Sequence, residues 1–385
     1  MTESVRRLGA RPKPLPGLPG ADGHAADNGA EFRVQPGRGR GAVTNPPGRF
    51  EPVVRIAFDD GWDREDELPP LETTVTAERA RKMLTRNDSP DIGFDRSLNP
   101  YRGCEHGCVY CFARPSHAFL GLSAGLDFET KLFAKTNAAE ALEREISAPG
   151  YKPKVIAVGT NTDPYQPIER RYRITRQVLE VLDRASHPCG LVTKSALVLR
   201  DLDILARMAV RGLVKVAVSV TTLDRHLARA MEPRAAASMR RLDTIRRLAE
   251  AGVPAGVLVA PVIPALNDHE VEAILEAAYA AGARECGYVL LRLPHELKDV
   301  FREWLLDRYP GRVRHVISVL RAMHDGKDYD ARWNKRMTGT GPYAWALGRR
   351  FELAANRLGF NKERLKLRTD LFAPPRTGPE QLSLF

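Results

Sequence analysis

The residues best suited to chemistry are three cysteines in one short run, Cys104-Glu105-His106-Gly107-Cys108-Val109-Tyr110-Cys111. At C-x3-C-x2-C spacing, three thiolates can face one centre only if the backbone wraps around it, and Gly103 and Gly107 supply that freedom. Such a donor set suits zinc or an iron–sulfur cluster. Structural zinc takes four protein ligands, and no further Cys or His follows at a finger-like spacing. His106 is a possible fourth ligand, awkwardly placed inside the loop itself. Three ligands on a four-iron cluster would leave one iron open, the arrangement a catalyst needs. Cys189 and Cys286 stand alone, and five cysteines are too few for a disulfide scaffold.

A second candidate is electrostatic. The 385 residues carry 59 Lys and Arg against 48 Asp and Glu, a net charge of +11. The excess gathers toward the C-terminus, where Arg332, Lys335, Arg336, Arg349, Arg350, Lys362, Arg364, Lys366 and Arg368 interleave with Trp333, Tyr343, Trp345, Phe351 and Phe360. Cations for phosphates and aromatic faces for bases would make a nucleic-acid surface. The alternative is that the aromatics form helix core and the cations a solvated face.

The elements that must position these groups follow from periodicity. Residues 1–75 read as a disordered or extended arm, rich in Gly, Pro, Ala and Arg and then acidic. Folded structure is expected from about Thr76, with a short helix over Ala77–Leu84. Strands are expected at 154–159, 191–193, 214–220, 256–261 and 287–291. They alternate with helices at 174–184, 202–210, 238–251 and 269–281. That alternation implies βα units on a parallel sheet, an α/β fold forming a full or partial (β/α) barrel over 76–296. Residues 297–372 read as a basic helical region, with helices at 297–307, 313–324 and 343–358. Residues 373–385 read as a tether. No apolar run is long enough to span a membrane, and no apolar leader follows Arg6-Arg7, so a cytoplasmic protein is expected.

The cysteine run, with an aromatic before its third Cys, resembles the radical S-adenosylmethionine (SAM) superfamily. Four further segments look like the spore-photoproduct-lyase-like branch, and more closely like its uncharacterised bacterial members. They are Asn99–Cys104, Thr162–Glu169, Thr193-Lys194-Ser195 and Pro261–Asp268. The resemblance spans roughly residues 95–360. It implies a partial barrel of radical SAM type in which Cys104, Cys108 and Cys111 ligate a 4Fe–4S cluster and SAM takes the remaining iron. It further implies that the Tyr110 main chain meets the adenine, Thr162 and Asp163 receive the SAM amino group, Lys194 pairs with its carboxylate and Ser219 bonds the ribose. Arg241 would also reach the carboxylate, or lie on a solvated helix face. Each of the others has a plain alternative: a turn cap for Thr162 and Asp163, a surface lysine for Lys194, a backbone-satisfied serine for Ser219. The implied reaction is reductive cleavage of SAM to a 5′-deoxyadenosyl radical that abstracts hydrogen, fed by an electron donor such as flavodoxin or ferredoxin.

One departure stands out. Spore photoproduct lyases carry a hydrogen-donating cysteine shortly before the Ser/Thr-Asp of the second strand end. Here that segment is Gly159-Thr160-Asn161-Thr162-Asp163, without a thiol. Cys189 or Cys286 could substitute only if the fold brings one to the cavity. The segment Gln381-Leu382-Ser383-Leu384-Phe385 matches the pentapeptide by which bacterial polymerases and repair proteins dock on the sliding clamp, with Leu384 and Phe385 as apolar anchors. The leading expectation is a radical SAM enzyme acting on damaged or modified DNA. The alternatives are the same chemistry on RNA, protein or a small molecule, and a non-catalytic iron–sulfur protein that binds DNA or senses redox state at the clamp.

Overall fold

The computed structural model describes residues 39–51 and 71–375. Its strands are β1 (Thr74–Glu78), β2 (Leu84–Arg86), β3 (Arg96–Leu98), β4 (Tyr101–Arg102), β5 (Lys131–Lys135), β6 (Ile156–Val158), β7 (Cys189–Thr193), β8 (Val214–Ser219), β9 (Ala255–Val262) and β10 (Glu285–Leu290). Seven form one sheet in the order β2-β3-β6-β7-β8-β9-β10. All neighbours run parallel except β2 against β3. A sheet whose strands follow chain order, each return carried by a helix, is a partial (β/α) barrel. β2 and β10 remain its edges. β1, β5 and β4 form a separate three-stranded sheet.

The helices form where apolar residues recur at helical spacing. In Ile174–Arg184, Ile174, Val178, Val181 and Leu182 are buried against the sheet while Arg176, Gln177 and Glu180 face outward. Leu202–Val210, Ser238–Glu250 and Val271–Ala280 repeat the pattern. Among the described residues no helix is long and apolar enough to cross a membrane.

The gap between the sheet's edges is bridged from the C-terminal region. Leu290 N–H at the end of β10 donates to Met337 O at 2.8 Å. The neighbouring Arg336 pairs through Nε with Asp91, in the turn between β2 and β3, at 2.8 Å. The helices Leu297–Arg308, Val313–Met323 and Gly341–Leu358 fall where the periodicity placed them. Trp304, Phe301 and Leu320 of the first two share a core with Ala42, Val109, Met231 and Ile263.

Three expectations are corrected. Ala77–Leu84 is not helical: β1 ends at Glu78, the chain turns, and β2 starts at Leu84. Pairing with β5 outweighs the helix preference of Ala, Glu and Arg. Ordered structure also begins before Thr76. Ala42 is fully buried, and Arg40 donates to Leu71 O at 2.7 Å, so residues 39–51 do not belong with an unstructured arm; residues 1–38 and 52–70 lie outside the described residues. The tether does not start at 373: Ala373 N–H donates to Ala185 O at 3.0 Å, and Pro375 O accepts from Ser147 at 3.1 Å. Residues 376–385, with the clamp-like peptide, lie outside the described residues.

Phe372 anchors this last stretch against Tyr151 and His187. The His187 ring is fully buried, with Nδ1 3.1 Å from Pro188 O and Nε2 2.9 Å from the Tyr151 hydroxyl. Burial holds its pKa down to about 4, against the opposing pull of the Pro188 carbonyl. The native ring is therefore neutral, whereas the unfolded chain protonates it near pH 6.5. This contribution is complete above pH 6.5 and is lost as the pH falls toward 4. At pH 5 the loss is about 2 kcal/mol for this site. Urea unfolding at pH 7 and pH 5 should show it, and His187→Gln should shrink the difference by that amount.

Candidate active site

The cysteine loop follows β3 and β4 and lies among the segments that leave the C-terminal ends of the other strands. Its main chain is held from several sides. Cys104 N–H donates to Phe128 O and Val109 N–H to Met231 O, both at 3.0 Å. Glu105 N–H donates to Gln166 Oε1 at 2.8 Å, and the Thr162 hydroxyl donates to Gly103 O at 2.6 Å. Arg234 N–H reaches His106 O at 3.2 Å. Gly103 and Gly107 have φ of 73° and 68°, the left-handed region the spacing argument required. A Cβ at Gly103 would also meet Leu132 and Phe128 O within 3 Å.

Beneath the loop lies a buried ion pair, Arg114 with Glu129, neither side chain reaching solvent. The guanidinium uses all five of its N–H groups. They go to Cys108 O, Gly107 O, Ala124 O, Gly125 O and Glu129 Oε1. Glu129 in turn accepts Gly41 N–H at 2.9 Å and Ala42 N–H at 2.8 Å. The 39–51 segment is thus strapped across the cysteine loop, and a Cβ on Gly41 would fall 1.8 Å from Gly107 O.

The residues singled out in the sequence converge here, with partners of their own. Asp163 accepts from the Thr193 hydroxyl and from Lys194 N–H, both at 2.7 Å, and from Tyr165 N–H at 2.9 Å. His106 Nδ1 lies 3.3 Å from Oδ2, the oxygen that also accepts Lys194 N–H, outside hydrogen-bond alignment. Burial alone would raise the Asp163 carboxyl, but the His106 imidazole, the Lys194 N–H and the Thr193 hydroxyl outweigh it and hold the pKa at about 2. Asp163 is an anion that ties the end of β6 to the end of β7. The Ser219 hydroxyl donates to Ala260 O at 3.0 Å. Arg241 is not on a solvated face. It is buried, donating to Ser219 O at 3.0 Å, to Ala236 O at 2.6 Å and to Glu232. Tyr110 is buried too, its hydroxyl donating to Glu232 and lying 3.2 Å from Thr221 Oγ1. Lys194 differs from all of these. Among the described residues its ammonium makes no ion pair or hydrogen bond, and it sits 5.6 Å from the Tyr110 ring centroid.

The donor set fits an iron–sulfur cluster. The three thiols are free, with Cys104 and Cys108 buried and Cys111 partly so. Burial pushes the Cys104 thiol up, and Asp163 and the two neighbouring cysteines add to it. Burial likewise raises Cys108, with Glu232 adding and Lys194 opposing. Burial thus disfavours the thiolate forms of Cys104 and Cys108, and a bound cationic centre is what would favour them. Among the described residues no three His, Cys, Asp or Glu side chains converge on a single ion. A four-iron cluster does not require that, since each thiolate takes its own iron.

Cys189 and Cys286 lie elsewhere, at the starts of β7 and β10. Cys189 pairs in register with Ile156 and Val214, the first residues of β6 and β8. The basic region is divided. Phe351 and Phe360 are core, and Arg332, Arg336, Arg349, Arg350 and Arg368 are paired with carboxylates of the chain. Among the described residues Lys335, Lys362, Arg364 and Lys366 form no ion pair, while Trp333 and Trp345 are exposed.

Residue types alone did not single out Arg114, Glu129, Gln166 or Glu232. Gln166 lay inside a segment already noted, but Glu129 and Glu232 became legible only through their partners. Breaking the buried pair leaves one charge stranded. Arg114→Met is expected to destabilise the chain by about 3–5 kcal/mol, measured by denaturant unfolding. Arg114→Lys should not restore it, since an ammonium cannot serve five acceptors.

Comparisons with known proteins agree with this geometry. The family model described as the radical SAM superfamily matches residues 98–278. An uncharacterised protein of Mycobacterium tuberculosis is 37% identical over 232 residues, covering 60% of this chain and 68% of the relative. An uncharacterised protein of Methanocaldococcus jannaschii is 26% identical over 193 residues, 50% of this chain and 69% of that protein. Among solved structures, spore photoproduct lyase complexed with dinucleoside spore photoproduct superposes with a TM-score of 0.53 at 16% identity, covering 74% of this chain and 80% of the other. The loop of Cys104, Cys108 and Cys111 at the strand ends of this chain, the matched model and the relative at 37% identity give one conclusion: the chain belongs to the radical SAM superfamily.

Proposed function

We propose that this protein is a radical SAM enzyme that acts on DNA. The observation that carries the reading is the juxtaposition of three free thiols on one loop with an unpaired cation, Lys194, beside Tyr110. Cluster-bound SAM supplies, on reduction, an organic radical able to abstract hydrogen. The chain's own part is to bind and orient. Cys104, Cys108 and Cys111 would hold the cluster, and Lys194 would meet the SAM carboxylate by a charge-assisted contact. Tyr110 and Ser219 would line the adenosine. Thr162 and Asp163 brace the loop and would face the amino group. Arg241 supports this wall from below through Glu232 and Ser219.

DNA as substrate is supported by the cations Lys335, Lys362, Arg364 and Lys366, which form no ion pair among the described residues, by the exposed Trp333 and Trp345, and by a fold shared with an enzyme solved with a dinucleoside photoproduct. The substrate need not be that photoproduct. The β6 strand end has no thiol, and Cys189 and Cys286 sit at the opposite ends of their strands, so the chain offers no cysteine as hydrogen donor there. The segment Gln381–Phe385 supports recruitment by a sliding clamp.

Anaerobic reconstitution is expected to give cluster absorbance and reductive SAM cleavage. Both should vanish in the combined Cys104→Ala, Cys108→Ala, Cys111→Ala variant, and an intact cluster that never cleaves SAM under any reductant would sink the enzyme reading. Lys194→Ala should keep the cluster absorbance and weaken SAM binding by roughly tenfold or more. Micromolar binding of the purified sliding clamp, lost on removal of Gln381–Phe385, is expected of the full chain; equal binding by both forms would rule the peptide out.

A further inference from the structure

Cys111 is flanked by two aromatic residues, and each carries a cation. Lys194 approaches Tyr110 on one side. On the other, the guanidinium of Arg292 lies 4.8 Å from the ring centroid of Phe112. Arg292 follows the C-terminal end of β10, and so stands on the same rim as the cysteine loop. Among the described residues its side chain makes one hydrogen bond, to the Tyr329 hydroxyl at 3.3 Å, and its buried Nε has no partner. Among the described residues it meets no carboxylate. The other arginines around the loop are different. Arg40, Arg114 and Arg241 spend their N–H groups on carbonyls, hydroxyls or carboxylates of the chain.

A half-buried guanidinium with an unused N–H and no counter-ion is costly unless an anion arrives to complete it. Phe112 covers its face, which leaves the edge for a planar, bidentate contact of the kind a phosphate takes. Phe112 is itself 46% exposed, and Trp333, in the segment that bridges the sheet's edges, is 55% exposed. An edge for a phosphate beside the open face of Phe112 is the chemistry of a nucleic-acid strand rather than of a small carboxylate.

We infer that Arg292 anchors a phosphodiester of the DNA substrate beside the reacting nucleotide, with Phe112 holding the guanidinium and offering a stacking face. This assignment rests on the DNA reading above. It gives the two cations separate roles, Lys194 serving the cofactor and Arg292 the substrate.

The test uses the anaerobically reconstituted full chain and a fluorescein-labelled single-stranded oligonucleotide, titrated by anisotropy at several salt concentrations. Arg292→Gln should weaken binding about tenfold and lower the salt slope by about one. Arg292→Lys, which keeps the charge without the fork, should fall between, and Phe112→Leu should cost a few-fold. SAM affinity, measured in parallel, should be unchanged in Arg292→Gln. Oligonucleotide binding indifferent to Arg292, or a loss of SAM affinity instead, overturns the assignment and leaves the DNA reading standing. No oligonucleotide binding by the parent chain overturns both. Thymidine 5′-monophosphate competing as tightly as the oligonucleotide would make the anion a free nucleotide and overturn a strand as its source.

Discussion

The buried pair of Arg114 and Glu129 is the constraint on which the rest depends. Removing both charges from water is costly, and the mutual attraction offsets that cost only when every remaining donor and acceptor is used. Here they are. The guanidinium fixes four carbonyls, two of them inside the cysteine loop, while the carboxylate fixes the strap at Gly41 and Ala42. One interaction therefore sets the path of the loop and closes a wall over it. Gly41 and Gly107 are small because the two backbones touch there.

The remaining support comes from the strand ends. Thr162 and Gln166 hold the loop's start from beyond β6, while Arg234 holds His106 and Met231 holds Val109 from beyond β8. Behind these, Glu232 gathers Tyr110, Thr221 and Arg241, and Asn267 stitches Thr221 O to Pro261 O. The residues nearest the thiols are thus mostly occupied with one another. A fixed site of this kind needs no rearrangement of its own walls when charge moves within it. Lys194 and Arg292, at this rim, form no ion pair among the described residues.

Much of this was legible in the sequence where a pattern repeats. The helices Ile174–Arg184 and Leu202–Val210 follow from their apolar spacing, and β7 to β10 from their apolar runs, which the parallel sheet covers most fully at β8 and β9. The cysteine loop was legible because its spacing and glycines leave few conformations. The small sheet of β1, β4 and β5 was not, because its strands are short and their partners distant; Ala77 pairs with Ala134, and local propensity points the other way. The same holds for Arg114 and Glu129, which as residue types are surface residues. The basic C-terminal region was half legible. The density of charge was plain, but not that Arg332, Arg336 and Arg350 are neutralised within the fold.

The bridge across the sheet's edges has a consequence for synthesis. Asp91 and Arg336 lie 245 positions apart, so the contact that joins the two edges is among the last the ribosome makes possible. Until the segment around Met337 has emerged, the nascent sheet is open along one flank, next to β10 and the rim that carries Arg292. The Arg114–Glu129 pair and the strap it holds, contributed by residues 41 to 129, are available far earlier, and the loop's other supports have emerged by Arg234. The order of translation therefore sets an order of assembly, in which the cysteine loop gains its supports first and the bridge across the sheet's edges forms last.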